Sequence, residues 1–275
     1  MKTSIIIPAN NEEAWMGYCL DALFKSQRVE EAEVIVVANG CEDRTVEVAS
    51  KYEVLATELG WGLKIIDLER GDKLHALNVG ERAAEGEVLI YLDADVRVSE
   101  RVIFQITRVL EKEEPAWASG QLQMAAASGV SKAYARFWMK TPFMSNSVPG
   151  SGLFAVNRAG RARWGKFPEI ISDDMYVRLH FSGRERIAVP SSYVWPVAEG
   201  WENLIKVRRR QNRGVAQLEE LYPELMKNED KGDFSKLRIL GYALGDPFGF
   251  IAYAGVSLIV RLSKDQSGDE WKRGR

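Results

Sequence analysis

Cysteine and histidine are scarce in this 275-residue chain, with two of each. Cys19 and Cys41 lack the paired spacing of a metal knuckle, and His75 and His180 are the only imidazoles that could help, so neither a structural zinc site nor a disulfide framework is expected. A reducing, cytoplasmic compartment suits so thiol-poor a chain. Charge of one sign is also lacking: 37 basic against 39 acidic residues leave a formal net charge of -2, which argues against a nucleic-acid footprint. The opening run from Met1 to Pro8 has too short an apolar stretch for a signal peptide, so export is not expected. Repeats and low-complexity linkers are missing, which argues against a split into independent domains. Apolar material is plentiful, at 46% of residues, enough for one large domain or for a domain with an appendage.

Across the first 115 residues, short Val/Ile-rich runs alternate with longer amphipathic stretches. The apolar runs cover 4–8, 33–38, 63–68 and 88–92, and the amphipathic ones 12–25, 43–54, 73–84 and 99–111. Runs of this kind that do not alternate in polarity suit strands buried on both faces, so four β-α units with a mostly parallel sheet are predicted. Ligands of such sheets bind beyond the carboxyl ends of the strands. The polar segments 8–13, 38–43, 69–73 and 93–95 fall at those ends and are expected to converge. After Pro115 the pattern changes to a strand near 117–124, a helix near 130–140, a Gly150-Ser151-Gly152 turn and an apolar run at 153–156. This second half is expected to carry a second substrate.

Asp93 and Asp95 stand where the fourth apolar run ends. In an extended segment residues i and i+2 point the same way, and two adjacent carboxylates call for a cation between them. A hard divalent ion that also bridges substrate phosphates, Mn²⁺ or Mg²⁺, is the common solution. Asp-x-Asp is also ordinary turn chemistry, so the pair alone does not decide the matter.

Several motifs in order carry a resemblance. Residues 5–13, Ile-Ile-Ile-Pro-Ala-Asn-Asn-Glu-Glu, are similar to the opening strand and nucleoside-binding loop of family 2 glycosyltransferases of the GT-A fold. Residues 36–45 resemble that family's second loop, with Ala38 and Asn39 standing where it commonly has two acids. Asn39 is able to accept from a base N–H and donate to a base carbonyl. Asp72-Lys73-Leu74-His75-Ala76-Leu77-Asn78 resembles the segment that precedes the family's metal motif, and Asp93-Ala94-Asp95 falls at that motif's place. Gly150-Ser151-Gly152 is similar to the Gly-rich segment beneath the acceptor, and Ser172-Asp173-Asp174 to the acidic pair that contains the general base. On the helix expected from about Trp201, Arg210 to Gly214 resembles a Gln-x-x-Arg-Trp segment of which Arg213 is retained.

The resemblance implies a GT-A-type, Rossmann-like α/β fold with a mostly parallel sheet flanked by helices. It divides the chain into a donor half (1–115), an acceptor and catalytic half (116–222) and a C-terminal helical appendage (223–275). It implies an inverting transferase that moves a sugar from a nucleoside-diphosphate sugar, UDP favoured over GDP, to a glycan, lipid-linked or small-molecule hydroxyl, with Mn²⁺ or Mg²⁺ as cofactor. Asp174 is the implied base and Asp173 its neighbour; Asp95 and Asp93 hold the metal. Pro8, Ala9, Asn11, Glu12, Asn39, Lys73, Asp93, Arg210 and Arg213 are the implied donor contacts, and Gly150, Ser151 and Gly152 the acceptor contacts. For His75, His180 and most of the tryptophans at 138, 164, 195 and 201, packing or surface roles are the favoured reading. A HAD-type phosphohydrolase, a nucleotidyltransferase and a non-enzymatic nucleotide-sugar-binding scaffold are the alternatives.

From Ile239 to Val260 the chain runs 22 residues with Asp246 as the only charge. That length reaches across a bilayer, but Gly245-Asp246-Pro247 breaks a helix near its middle. Two short helices, or one lying at an interface, are therefore expected. Lys236, Arg238, Arg261, Lys264 and the basic residues of 271–275 would meet anionic headgroups at the cytoplasmic face of a membrane.

Overall fold

A computed structural model describes residues 1–146, 148–230, 232 and 235–263. The elements in chain order are β1 (Thr3–Ala9), α1 (Glu13–Leu23), β2 (Ala32–Asn39), α2 (Thr45–Ser50), α3 (Glu53–Glu58), β3 (Gly62–Leu68), α4 (Lys73–Ala83), β4 (Val88–Leu92), β5 (Arg97–Val98), α5 (Val102–Leu110), β6 (Trp117–Ala125), α6 (Gly129–Trp138), α7 (Pro142–Asn146), β7 (Leu153–Asn157), α8 (Arg158–Arg161), α9 (Asp173–Leu179), β8 (Arg186–Pro196), α10 (Gly200–Leu221), a 3₁₀ turn (Leu225–Asn228), α11 (Lys236–Gly245) and α12 (Pro247–Leu262). They form two units, Met1–Gln123 with Val148–Trp195, and Met124–Ser147 with Pro196–Arg275. These units are discontinuous, unlike the consecutive segments 1–115, 116–222 and 223–275 expected from sequence.

In the first unit the strands lie in the order β3-β2-β1-β4-β7-β6-β8-β5. The expected parallel register holds across β3, β2, β1 and β4. Every residue of β1, β2 and β4 is buried, as their apolar runs suggest, and the polar residues at the strand ends, Thr3, Ser4, Glu33 and Asn39, are buried with them. The parallel run stops at β4, because β7 pairs with it antiparallel from Leu92↔Leu153 to Val88↔Asn157. β6 is antiparallel to β7, and β5 to β8, so the sheet is mixed. β3 ends the sheet and is partly exposed, which is why Lys64 and Asp67 fit an otherwise apolar run. The single helix expected at 43–54 is two, α2 and α3. Between them the Tyr52 ring stacks on Phe24 at 5.8 Å and its hydroxyl donates to the Gly17 carbonyl at 2.9 Å, drawing the chain toward α1.

Asn157 closes β7 and joins three pieces of backbone. Its side-chain oxygen accepts from Gly160 N at 2.9 Å and Ala116 N at 3.1 Å, while Nδ2 donates to the carbonyls of Lys112 (2.9 Å) and Glu114 (2.8 Å). With only 3% of its surface exposed, water does not replace these bonds.

In the second unit, α12 buries Ala252 and Val256 and packs on α6 through Phe137–Phe250 and Tyr134–Tyr253 ring contacts at 5.6 and 5.4 Å. This packing explains why 124–147 belongs with the C-terminal helices. The apolar stretch at 239–260 is two helices, divided where expected. Asp246 caps α12 by accepting from Gly249 N at 2.9 Å, and Pro247 takes the first helical position, where no N–H is needed. Among the described residues no helix is long and apolar enough to cross a membrane.

Replacing Asn157 with Ala orphans two buried N–H groups and two carbonyls, and is expected to cost about 2–4 kcal/mol in urea unfolding.

Candidate active site

Three loops at the carboxyl ends of β1, β2 and β3 are knitted together by asparagines. Asn10 donates to the carbonyls of Asn39 (2.6 Å) and Gly40 (3.0 Å). Asn39 donates to Ala9 O at 2.8 Å, and its side-chain oxygen accepts from Asp72 N at 3.0 Å. Asn39 is only 3% exposed, so the amide expected to read a base is instead engaged at both ends by backbone, and its visible role is to hold the loops in place. Gly40 adopts φ +58°, and a Cβ there would lie 2.4 Å from Gly71 N, so no side chain fits between the second and third loops. Pro8 and Ala9 end β1. Asn11, at φ +53°, accepts from Glu42 N at 2.8 Å, and buried Glu12 donates its backbone N–H to Thr45 Oγ1 at 2.6 Å. Asn10, which stands in the opening motif but not among the implied donor contacts, is the residue whose role sequence reasoning missed here.

The fourth loop opens at Asp93. The strand ends at Leu92, and Val96 N donates to Asp93 O at 3.0 Å, so Asp93 and Asp95 belong to a tight turn. The same-side argument for an extended segment therefore does not describe them; the turn, and the bond from Asp93 N to Gly152 O at 2.9 Å, set their place. Gly150 and Gly152 have φ of +70° and +75°. A Cβ would run into the Trp117 ring at the first and into Val96 and Trp195 at the second. Ser151 presents its carbonyl to the Tyr193 hydroxyl at 2.9 Å. In this structure the Gly150–Gly152 turn thus supports the Asp93 turn from below.

Lys73 is the centre of the arrangement. Asp72 caps α4 by accepting from Leu74 N and His75 N, both at 3.0 Å, which fixes Lys73 in the first turn. Its ammonium lies 3.0 Å from Asp93 Oδ1 and 3.1 Å from Asp173 Oδ2, joining residues a hundred positions apart. Burial works against the Lys73 charge, but the carboxylates of Asp173 and Asp93 hold its pKa above the ordinary lysine value. Asp174, next in α9, accepts from Met175 N at 2.7 Å. Burial and the Asp173 carboxylate push its pKa up to about 6, against the opposing pull of Lys73. The Ser172 side chain makes no capping bond, so the helix start leaves both acids to face the cluster.

One ammonium among three carboxylates leaves the site negative, a setting that suits a further cation. Among the described residues no group of three or more His, Cys, Asp or Glu side chains could hold a metal alone. Two aspartates in one turn nevertheless fit Mn²⁺ or Mg²⁺, which take one or two carboxylates and complete their shell with phosphate and water.

Arg210 and Arg213 are on α10 in the second unit, and part of that basic run is structural: Arg208 sits over the Tyr253 ring at 5.4 Å and Arg209 donates to Ser263 Oγ at 2.6 Å. His75 is exposed, and His180 is held by Tyr176 O at 2.9 Å and packs on Trp164 and Tyr176. Lys264 and 271–275 lie outside the described residues. Behind the site, Asn78 clasps Phe167 through both backbone groups, at 2.8 and 3.2 Å, and Glu81 binds Arg161 at 2.6 Å and the Tyr91 hydroxyl. Neither support was expected from sequence.

A mixed sheet flanked by helices, whose strand-end loops gather acids around one lysine, is a GT-A-type fold. Residues 4–160 match the family description "Glycosyl transferase family 2", and the chain belongs to that family. It is 30% identical over 111 residues to the uncharacterized glycosyltransferase EpsJ of Bacillus subtilis, covering 40% of this chain and 31% of EpsJ. It is 28% identical over 104 residues to the poly(ribitol-phosphate) beta-N-acetylglucosaminyltransferase TarS of Staphylococcus aureus, covering 38% of this chain and 18% of TarS. The chain thus spans less than a third of the length of these curated relatives. Among solved structures, the mannosyltransferase PcManGT of Pyrobaculum calidifontis, in complex with GDP-Man and Mn²⁺, shares its fold with a TM-score of 0.62 and 21% identity, over 95% of this chain and 76% of that one. S. aureus TarS 1-349 in complex with UDP-GlcNAc aligns with a TM-score of 0.56 and 19% identity, over 94% and 81% of the two chains. Family membership sets aside the phosphohydrolase and nucleotidyltransferase alternatives.

The raised Asp174 pKa has a consequence for stability. The folded state holds this proton more tightly than an ordinary aspartate near 3.8, so stability falls as pH rises from 3.8 through about 6. Asp174→Asn is expected to stabilise the metal-free protein by roughly 2 kcal/mol at pH 8, with the gain vanishing toward pH 4, as read by thermal unfolding across pH.

Proposed function

We propose that the protein is an inverting glycosyltransferase that moves a sugar from a nucleoside-diphosphate sugar to a hydroxyl acceptor by one in-line displacement. The observation that carries this reading is the Lys73 ammonium, in ion-pair contact with Asp93 of the turn after β4 and Asp173 at the start of α9. The two ion pairs support a reading in which the charge-neutralising end of the displacement and its base share one locus. Asp174 is the base: a sugar hydroxyl is a weak nucleophile, and a carboxylate with pKa about 6 accepts its proton more readily than an ordinary aspartate while staying ionised at neutral pH. Attack from the base side, opposite the departing diphosphate, inverts the anomeric carbon. Asp173 keeps Lys73 beside Asp174, and Lys73 is free to trade one carboxylate for a donor phosphate oxygen.

Asp95 and Asp93 would hold Mn²⁺ or Mg²⁺, which when bound neutralises the diphosphate leaving group. The Mn²⁺ in the PcManGT complex supports a divalent ion here. In this reading Pro8, Ala9, Asn11, Glu12 and the Asn39 loop border the nucleoside. UDP is preferred over GDP in this reading, supported by TarS with UDP-GlcNAc, although the PcManGT complex contains GDP-Man. Gly150, Ser151 and Gly152 border the acceptor, a glycan, lipid-linked or small-molecule alcohol. The enzyme works at the cytoplasmic face of a membrane, as a peripheral protein in polysaccharide or glycolipid synthesis.

A thermal-shift panel of UDP-, GDP- and other nucleoside-diphosphate sugars with Mn²⁺ is expected to give a positive shift for at least one donor, and Asp95→Ala to remove its metal dependence. No shift with any nucleotide defeats the reading. Once a donor is known, Asp174→Asn is expected to keep the shift and lower kcat by roughly two to four orders of magnitude. Wild-type kcat/KM should fall as pH drops below about 6, where Asp174 takes up its proton. Binding with no transfer to any acceptor would make the protein a nucleotide-sugar-binding scaffold instead.

A further inference from the structure

The helices α11 and α12 each turn an apolar stripe outward. Leu237, Leu240 and Leu244, at spacings of three and four, are 82%, 57% and 76% exposed, and Phe248, Leu258 and Leu262 on α12 are 77%, 55% and 73% exposed. The stripe on α12 is not a face left unpacked by chance. Its opposite side buries Ala252 and Val256 and carries the ring contacts to α6, so these leucines and Phe248 are directed away from the unit's own core. Soluble surfaces seldom concentrate so many large apolar side chains, and such patches mark contact sites.

Charge points to the kind of surface that covers them. The only acid between 235 and 263 is Asp246, 11% exposed and taken up by Arg136 at 3.1 Å and Lys140 at 3.6 Å while it caps α12. The exposed charges of the two helices are cationic and sit at their outer ends, Arg238 in the first turn of α11 and Arg261 in the last turn of α12. Two helices with an apolar middle, a cation at each outer end and no exposed acid of their own complement an anionic lipid surface, with the leucines reaching the acyl boundary and the arginines the headgroups. Length rules on the mode of contact. At 1.5 Å per residue the 10 residues of α11 and the 16 of α12 reach about 15 and 24 Å, short of the roughly 30 Å hydrocarbon layer. We infer that α11 and α12 form an interfacial anchor that lies on a bilayer containing anionic phospholipid and does not cross it.

The inference deepens the membrane-surface part of the proposed function and is independent of the transfer chemistry. Its test is flotation of the full chain with vesicles of phosphatidylcholine, with and without phosphatidylglycerol. The chain is expected to float with the anionic vesicles, less with the neutral ones, and less as salt rises. The double variant Leu244→Glu/Phe248→Glu should reduce flotation about tenfold, and Arg238→Glu/Arg261→Glu should remove the preference for anionic vesicles. Both should keep the thermal midpoint and any nucleotide-induced shift, which separates loss of the anchor from loss of the fold or of the donor site. Failure to float with either vesicle, or flotation unchanged in Leu244→Glu/Phe248→Glu, overturns the anchor even where nucleotide binding persists. A stable dimer in light scattering that the same double variant dissociates also overturns it, and assigns the face to a second copy.

Discussion

Two acidic turns, one after β4 and one at the start of α9, can share a site only if something offsets their repulsion, and Lys73 does so from the first turn of α4. The arrangement depends on the Asp72 cap, which fixes where α4 begins and therefore where the lysine stem points. It depends equally on β7, whose antiparallel pairing with β4 brings the Gly150–Gly152 turn beneath Asp93. Remove the ammonium and three carboxylates face one another across a partly buried space. Keep it, and one ammonium still stands among three carboxylates, so the site remains net negative.

The loops on the other side of the site are rigid for a different reason. Asn10 and Asn39 spend their amides on backbone groups of neighbouring loops, and Gly40 admits the approach of Gly71. Loops built this way are preorganised: they are held by bonds that exist before any ligand arrives, so less ordering entropy would oppose binding there. The part-buried Glu81–Arg161–Tyr91 group and the Asn78–Phe167 clasp do similar work under α4, keeping that helix and its lysine against the sheet.

The second unit shows one aspartate serving two purposes. Asp246 interrupts what would otherwise be a long apolar segment, and it caps the helix that follows while neutralised by Arg136 and Lys140. Arg136, with the Gly249 amide and Lys140, holds its carboxyl below the usual aspartate range, so the cap stays charged. A segment divided in this way has too short a reach to span lipid but can present apolar side chains along two helices at once.

Much of this was legible in sequence. Val/Ile-rich runs identify β1, β2 and β4 because burial on both faces demands them, and the motifs at 5–13, 36–45, 72–78 and 93–95 fall inside the 4–160 stretch that the family model matches. The break at Gly245-Asp246-Pro247 was readable too, since capping and proline geometry are local. Other features were not. The turn at Asp93, the antiparallel return of β7, the engagement of the Asn39 amide and the direction in which Leu244 and Phe248 face depend on segments distant in sequence. The sequence alone determined which strands are buried, where helices start and break, and which acids stand at strand ends, because propensity, capping and polarity act over a few residues. Only the tertiary structure decided which cation those acids share and which apolar residues stay outside, because a charge partner or a buried face exists only once the chain has returned on itself in space.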